Sequence, residues 1–448
     1  MPTESQIIKL DAISESLNSG AMLKAKLILN GLHPAEIARL LESSPSRQRR
    51  LIWEMLDHKN DGEVLLEVGE EVRNNLMESM DDESLLAATK GLDVDDLADL
   101  LDELPETVVK QALKGMDYQY RTRLEGVMNY DEDTAGGLMN TDTITIRPDV
   151  TLDVVLKYLR LRKEMPQNTD NIIVVDRYNH YLGTLSVTAL LCADPEKTVS
   201  ESMDNDYISI NADTLANEVT NIFEDRDLVS APVVDKNNIL LGRITIDDVV
   251  DVIREESEHT VLNMAGLTDE EDIFAPVLPS TRRRAIWLGI NLLTALIASG
   301  VISLFQETIE QVVALAVLMP IVASMGGIAG SQTLTLVIRG IALGNISSTN
   351  SKSLLVKEIS IGLLNSLLWA CVIGVLSSYW FNNYLIGVVI GIAMIANLGF
   401  AALSGVLIPI MLKRIGVDPA LGGGVILTTI TDVIGFFSFL ALGTIFLL

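Results

Sequence analysis

Asp432 stands near the middle of the run Pro419 to Leu448, which carries no other charge, and Thr428 precedes it by one helical turn. A carboxylate in hydrocarbon costs at least about 2.5–3.5 kcal/mol on insertion scales, so it belongs on an interior path that serves ions or protons. At a spacing of four, Thr428 shares its helix face and can offer a hydroxyl or carbonyl oxygen. Two other acid groups have helical spacing. Asp95 and Asp99, with Asp96 beside them, lie on one face; so do Asp248, Asp251 and Glu255, followed by Glu256 and Glu258. Such carboxylates repel one another unless they are protonated or hold a cation. On spacing alone, the Asp95 group reads as a solvated acidic face. The Asp248 to Glu258 group reads as functional, because it sits on the one element joining the soluble part of the chain to the apolar part, where a bound divalent cation would change the repulsion directly.

The charge is divided between these parts. The whole chain carries −27; residues 281–448 hold eight basic and five acidic side chains, which leaves −30 on residues 1–280. An acidic surface of that strength repels nucleic acid and anionic headgroups and attracts cations. Cys192 and Cys371 lie in different halves with no metal-ligand spacing, so neither a disulfide framework nor a zinc site is expected. The opening MPTESQIIKLDAISES lacks a basic stretch followed by an apolar one, so no cleavable signal is read. His33, His58, His180 and His259 are scattered without a partner motif, and no phosphate-binding glycine loop with lysine occurs. The chain is not expected to be an enzyme.

Five apolar segments follow, near Ala285–Phe305, Val312–Val337, Leu354–Phe381, Tyr384–Leu412 and Leu421–Leu448. Each reaches the roughly 20 residues that span a bilayer as a helix. Arg282 to Arg284 precede the first, Glu307 and Glu310 follow it, Arg339, Lys352 and Lys357 follow the second, and Lys413 with Arg414 follow the fourth. The positive-inside rule then puts the soluble half and the N-terminus in the cytosol and Leu448 outside. The second and fifth segments contain SMGGIAGSQ (Ser324 to Gln332) and LGGG (Leu421 to Gly424); the glycines alone read as close helix packing, and the oxygen donors around them shift the reading to interrupted helices lining a cavity. Gln332, Asn397, Thr428, Thr429, Thr431 and Asp432 would supply oxygens to a cation path.

Two repeats organise the soluble half. Leu32 to Pro45 (LHPAEIARLLESSP) returns as Leu92 to Pro105 (LDVDDLADLLDELP), with Ala35 and Arg39 where the second copy has Asp95 and Asp99. The fold therefore does not itself demand acid there. Farther on, Ile144–Asp149 returns as Ile208–Asp213, and Ile173–Asp176 with Gly183 returns as Pro232–Asp235 with Gly242. Short Val/Ile strands alternating with helices give an α/β unit. The pair resembles tandem cystathionine-β-synthase (CBS) domains, which often pair into dimers and sometimes bind adenine nucleotides. For ATP, the second copy has the hydroxyl-to-acid motif Thr245-Ile-Asp247-Asp248, whereas the first has Ser186-Val-Thr188-Ala189 and lacks the ribose-binding acid.

Over nearly its whole length the chain resembles the MgtE family of magnesium channels and transporters. The resemblance is carried by LDVDDLADLL, Tyr130–Met139 (YDEDTAGGLM), the CBS copies, Leu318–Gln332, Arg339–Gly344, Gly416–Leu421 and Thr431–Gly435. It implies a multidomain fold: an acidic all-α helical-repeat domain over 1–130, CBS domains over 138–200 and 201–256, a connecting or plug helix over 257–280, and a five-helix transmembrane pore domain over 281–448. It implies a homodimer in a bacterial plasma membrane, in which one Asp432 per subunit positions Mg²⁺ near the Thr428 carbonyl. The family's cytosolic Mg²⁺ sites fall on Asp95, Asp99, Gly136, Asp227, Asp248 and Asp251, with Glu256 in the connecting helix and Asp418 at the inner membrane edge. Ile328 replaces an Asn common in relatives, and His259 and Thr260 replace two acids, which moves the site shared with Asp418 onto Glu255, Glu256 or Glu258. Mg²⁺ suits these ligands because it keeps much of its water and is typically held by one or two carboxylates. The expected activity is Mg²⁺ import through a channel that cytosolic Mg²⁺ closes. The alternative is a secondary transporter coupling Mg²⁺, or a divalent ion such as Co²⁺, to Na⁺ or H⁺.

Overall fold

The computed structural model describes Ile13 and residues 21–57, 59–162, 165–267, 272–347 and 349–448. The opening stretch through Gly20, apart from Ile13, and His58 lie outside the described residues. Two compact units emerge: residues 1–257 with 270–276, and residues 258–269 with 277–448.

The first unit begins with short helices whose apolar faces turn inward. The two repeat copies form the helices Pro34–Glu42 and Val94–Asp102. In the first, His33 caps the start and Glu36 returns to the His33 backbone N–H, which satisfies free N-terminal donors. Leu97, Leu100 and Leu101 of the second are buried. They belong to one apolar cluster that continues through Ala135 and Met139 to Val219, Phe223 and Ile244, so the helical domain and the second CBS copy share a core.

Each CBS copy has a three-stranded sheet. In the first, β1 (Thr145–Ile146) pairs parallel with β2 (Asn171–Val175), which pairs antiparallel with β3 (Tyr181–Ser186). The second repeats this arrangement with β4 (Ile210–Asn211), β5 (Ser230–Val234) and β6 (Leu240–Thr245). The two hairpin turns join across the repeat. Tyr181 N–H donates to the Asn238 carbonyl at 2.9 Å, and Leu240 N–H donates to the Asn179 carbonyl at 2.9 Å. Asn179 and Asn238 adopt φ of 67° and 63°, a left-handed conformation that asparagine tolerates.

The connecting helix, Ile246–Met264, starts at β6 and runs through the boundary between the units. The expected continuous helical linker over 257–280 is corrected: this helix ends at Met264, and Gly266 follows at φ 72°, the left-handed turn that glycine supplies past a helix end. The next helix begins at Val277.

Among the described residues, five helices of the second unit are long and apolar enough to cross a membrane: Val277–Ser303, Val313–Ala342, Ser351–Trp380, Tyr384–Arg414 and Pro419–Leu447. Span four is the most enclosed; Val389, Ile390, Ala393 and Ala401 are wholly buried. The expected interruptions at SMGGIAGSQ and LGGG are absent, because both segments lie inside continuous helices. In hydrocarbon a broken turn leaves amides with no water to bond, so glycine's cost in a helix is small beside that of opening one. The glycines serve close approach instead. A methyl on Gly326 would lie 2.2 Å from Asn397 Nδ2, and one on Gly330 would lie 2.9 Å from Leu427.

Candidate cation sites

In the second unit, spans two and five wall an open groove of about 710 Å³. Ser324, Gly327, Ser331 and Gln332 face it from span two, and Thr428 and Asp432 face it from span five. Asp432 is half-buried and Thr428 is exposed. The Thr428 hydroxyl turns back to the Gly424 and Val425 carbonyls, each at 3.1 Å, while its own carbonyl accepts from Thr431 Oγ1 at 3.0 Å. Ile328 also lines the groove, where an apolar side chain offers no ligand. The groove thus presents one carboxylate among hydroxyls and an amide, a lining suited to a cation that retains its water.

Three expected oxygen donors are elsewhere; Thr429 Oγ1 donates to the Val425 carbonyl at 2.6 Å. Thr431 and Asn397 are fully buried. Asn397 Nδ2 donates to the Val322 carbonyl at 2.8 Å, and Gly326 and Gly435 pack on the amide from either side. This contact fixes span two against spans four and five behind the groove, so Asn397 shapes the path without lining it.

Sequence reading missed a second carboxylate within a span. Glu358, on span three, is 5% exposed. It accepts from Thr333 Oγ1 at 3.4 Å, and Lys357 Nζ lies 3.7 Å from its other oxygen. The neighbouring Lys352 and Lys357 read as loop charges, which hid the acid beside them. Asp418 caps the start of span five by accepting from Ala420 N–H at 2.9 Å. Its other oxygen accepts from Asn263 Nδ2 at 2.8 Å, and Asn263 also meets His259.

The first unit gathers acids between helix Val94–Asp102 and the start of the connecting helix. Asp93, Asp95 and Asp96 each bring a carboxylate oxygen within 4.8 Å of the others. Asp95 is 8% exposed, and its Oδ1 has no hydrogen-bond partner among the described residues. Burial pushes its carboxyl up to about 8, with Asp248 and Asp96 adding repulsion. Burial and then Asp247 push Asp248 up to about 7, although Thr245 N–H donates to it at 3.2 Å. Burial and then Glu132 raise Asp99 to about 7; burial and then Asp93 raise Asp96 to about 6. Asp251 and Glu255 sit at the exposed rim, also raised, first by partial desolvation. Asp247 is held by Asn168 Nδ2 at 2.8 Å and by the Thr245 hydroxyl.

The remaining expected ligands do not enter this group. Gly136 donates its N–H to the Ala212 carbonyl at 2.9 Å and lies so close to Tyr130 that an added methyl would meet the ring at 2.3 Å. Asp227 is exposed, ending helix Ala216–Arg226 at φ 50°. Glu256 and Glu258 are exposed on the connecting helix. Asp93, Asp247 and Glu132 join the cluster without having been singled out, although the acid density of LDVDD and of Asp131–Asp133 was the available signal.

These carboxyls give a pH dependence of definite sign. Their ordinary value is 3.8, and packing raises them to between about 6 and 8. The packed arrangement therefore binds more protons than the separated one. Its advantage is full below pH 3.8 and is lost as pH rises through 8. Without Mg²⁺, the radius of gyration from small-angle scattering is expected to be smaller at pH 5.5 than at pH 8.5, and saturating Mg²⁺ is expected to erase the difference. An equal radius at both values without Mg²⁺ would contradict this electrostatic account.

Three family descriptions match in chain order. They are the MgtE intracellular N domain over residues 32–133, the CBS domain over 135–196 and 199–255, and the MgtE divalent cation transporter over 319–442. A protein named magnesium transporter MgtE from Thermus thermophilus is 29% identical over 441 residues, covering 97% of this chain and 98% of the relative. One of the same name from Bacillus subtilis is 27% identical, covering 96% of each. A crystal structure described as the cytosolic domain of the Mg²⁺ channel MgtE in complex with ATP is 28% identical, with a TM-score of 0.49 over 54% of this chain and 99% of that one. With these three regions in this order and full-length relatives on both sides, the chain belongs to the MgtE family.

Proposed function

We propose that this protein is a homodimeric, Mg²⁺-selective channel that imports Mg²⁺ across a bacterial plasma membrane and is closed by cytosolic Mg²⁺. The observation that carries the reading is Asp432, a lone groove carboxylate on an apolar helix, flanked by Ser324, Ser331, Gln332 and Thr428. In one chain this polar groove is open; a second copy facing it would remove it from lipid and oppose two Asp432 carboxylates across a water-filled path. Two such charges attract a hydrated divalent ion, and a monovalent ion compensates their repulsion less well. The basic residues at alternate loops support a cytosolic N-terminus and an external C-terminus.

Closure follows from the other acidic surface. Mg²⁺ among Asp95, Asp96, Asp99 and Asp248, with Asp251 and Glu255 at the rim, would offset their repulsion and hold the helical domain on the second CBS copy. When Mg²⁺ falls, repulsion separates them, and the connecting helix carries the change to the pore. Gly136, Asp227 and Asp418 rest on the family pattern, and Glu256 and Glu258 on their place in the acidic run of the connecting helix. ATP would meet the second CBS copy through the Thr245 to Asp247 motif.

Flux into liposomes separates the channel from a coupled transporter. Mg²⁺ entry is expected to follow its own gradient, with no dependence on imposed Na⁺ or pH gradients, and to exceed Ca²⁺, Mn²⁺ and Co²⁺ entry. Uptake that requires a Na⁺ or proton gradient would replace the channel reading with secondary transport.

A further inference from the structure

Between the connecting helix and span one, the chain comes back to the helical domain. Residues 258–269 belong to the second unit, yet residues 270–276, just ahead of Val277, belong to the first. The grip on them is specific. Arg49, on helix Ser46–Met55, donates from Nη1 to Asp272 Oδ2 at 2.7 Å and from Nη2 to Asp272 Oδ1 at 3.0 Å. Each of the two side chains is 3% exposed. Arg49 Nε donates to the Leu41 carbonyl at 2.9 Å, so a neighbouring helix fixes the direction of the fork. Asp272 N–H donates to Glu71 Oε2 at 2.8 Å, and Ser46 Oγ donates to the Phe274 carbonyl at 3.3 Å.

Two parallel N–H···O bonds hold a carboxylate in angle as well as distance. Burial makes either charge costly to leave behind, so the pair resists opening more than an exposed ion pair would. Its place in the chain gives it reach. Asp272 precedes Val277, where span one begins, by five residues, so the chain between them stretches to at most about 18 Å. The connecting helix starts at the second CBS copy and ends at Met264, eight residues before Asp272. The pair therefore closes a loop that runs from the second CBS copy, along the connecting helix, back to the helical domain. That domain is held twice: by the core it shares with the second CBS copy, and by Asp272.

We propose that the Arg49–Asp272 pair is a latch: it ties the helical domain to the segment entering span one, so that closure by Mg²⁺ runs through this tie as well as through the connecting helix. The inference rests on the reading of the acidic face as the Mg²⁺ sensor. When Mg²⁺ leaves and the carboxylates repel, the latched domain swings only as far as this loop allows. Its effective concentration at the second CBS copy stays high, and re-docking needs less Mg²⁺. The coupling is reciprocal, because whatever favours the docked arrangement favours Mg²⁺ binding to it by the same factor. The latch thus assists closure, and its loss makes closure harder to reach.

The test is Mg²⁺ flux through the full-length protein in liposomes, read against Mg²⁺ on the cytosolic side. Arg49→Gln and Asp272→Asn are each expected to raise the half-inhibitory Mg²⁺ concentration about three- to tenfold, with wild-type flux at low cytosolic Mg²⁺. The double variant should go no further than the larger single shift, because both changes remove one tie. A covalent rescue guards against a misfolded helical domain. Arg49→Cys with Asp272→Cys is placed in a chain whose own thiols are removed by Cys192→Ser and Cys371→Ser. Unlinked, it should show the raised midpoint; joined by a short bis-maleimide, it should return to within about twofold of wild type. An unchanged midpoint in the single variants, or a cross-link that fails to restore it, overturns the latch. Asp95→Asn measured alongside separates the two claims. If it shifts the midpoint and the latch variants do not, the latch alone has failed; if neither shifts it, the sensor reading has failed and the latch with it.

Discussion

Asp432→Ala is expected to reduce Mg²⁺ flux by at least about 100-fold. That factor follows if each of two facing carboxylates contributes about 1.4 kcal/mol to holding the ion, since that energy is tenfold in occupancy and the two factors multiply. Folding should not suffer. Asp432 lines an open groove, and removing a charge from an apolar helix relieves a cost of about 2.5–3.5 kcal/mol. The variant should therefore elute at the wild-type size and unfold at the same or a higher temperature. Asp432→Asn, which keeps the shape and a hydrogen-bonding head, is expected to transport little more than Asp432→Ala, because the ion responds to charge. Wild-type flux in either variant would remove Asp432 from the path.

The five spans were legible from length and apolar content, and Asp432 from the cost of a lone charge in such a run. The behaviour of glycine inside them was not. SMGGIAGSQ carries the composition of a break, yet whether a glycine opens a helix or admits a neighbour depends on what faces it. Here Asn397 faces Gly326, and Leu427 faces Gly330. Asn397 itself was misread for the same reason: as a residue type it can ligate a cation, but its position on the most enclosed span ties it to Val322.

The acidic cytosolic site was legible along each helix and illegible across them. Asp95 with Asp99, and Asp248 with Asp251 and Glu255, are visible as helical faces in the sequence. That the two faces meet follows from a core shared by the helical domain and the second CBS copy, in residues such as Leu97, Phe223 and Ile244 that carry no chemical signal. Arg73, on helix Glu70–Met77, is the clearest omission: its Nη2 lies 2.8 Å from Glu103 Oε1. It lies well before Asp93, the first acid of the cluster, and only the folded arrangement pairs it with Glu103.

Replacing both Asp95 and Asp248 by asparagine should leave transport at low cytosolic Mg²⁺ in place and raise the Mg²⁺ needed for half-inhibition by at least about tenfold. Two effects oppose each other. Asparagine removes repulsion that disfavours the packed state, and it also removes the carboxylates that make packing depend on Mg²⁺. The second effect should win, because Asp93, Asp96, Asp247 and Asp251 remain, so much of the repulsion persists while the most deeply buried ligand, Asp95, is gone. The amide introduced by Asp95→Asn would, in addition, be buried with few partners, since Asp95 Oδ1 has none among the described residues. Patch recordings from the cytosolic face would read the midpoint, and scattering would read compaction at the same Mg²⁺ concentrations. If compaction and closure shift together, the acidic face controls the pore. If compaction shifts while closure stays at the wild-type Mg²⁺ concentration, the ion that closes the pore binds elsewhere, and Asp418 with the connecting helix becomes the place to look.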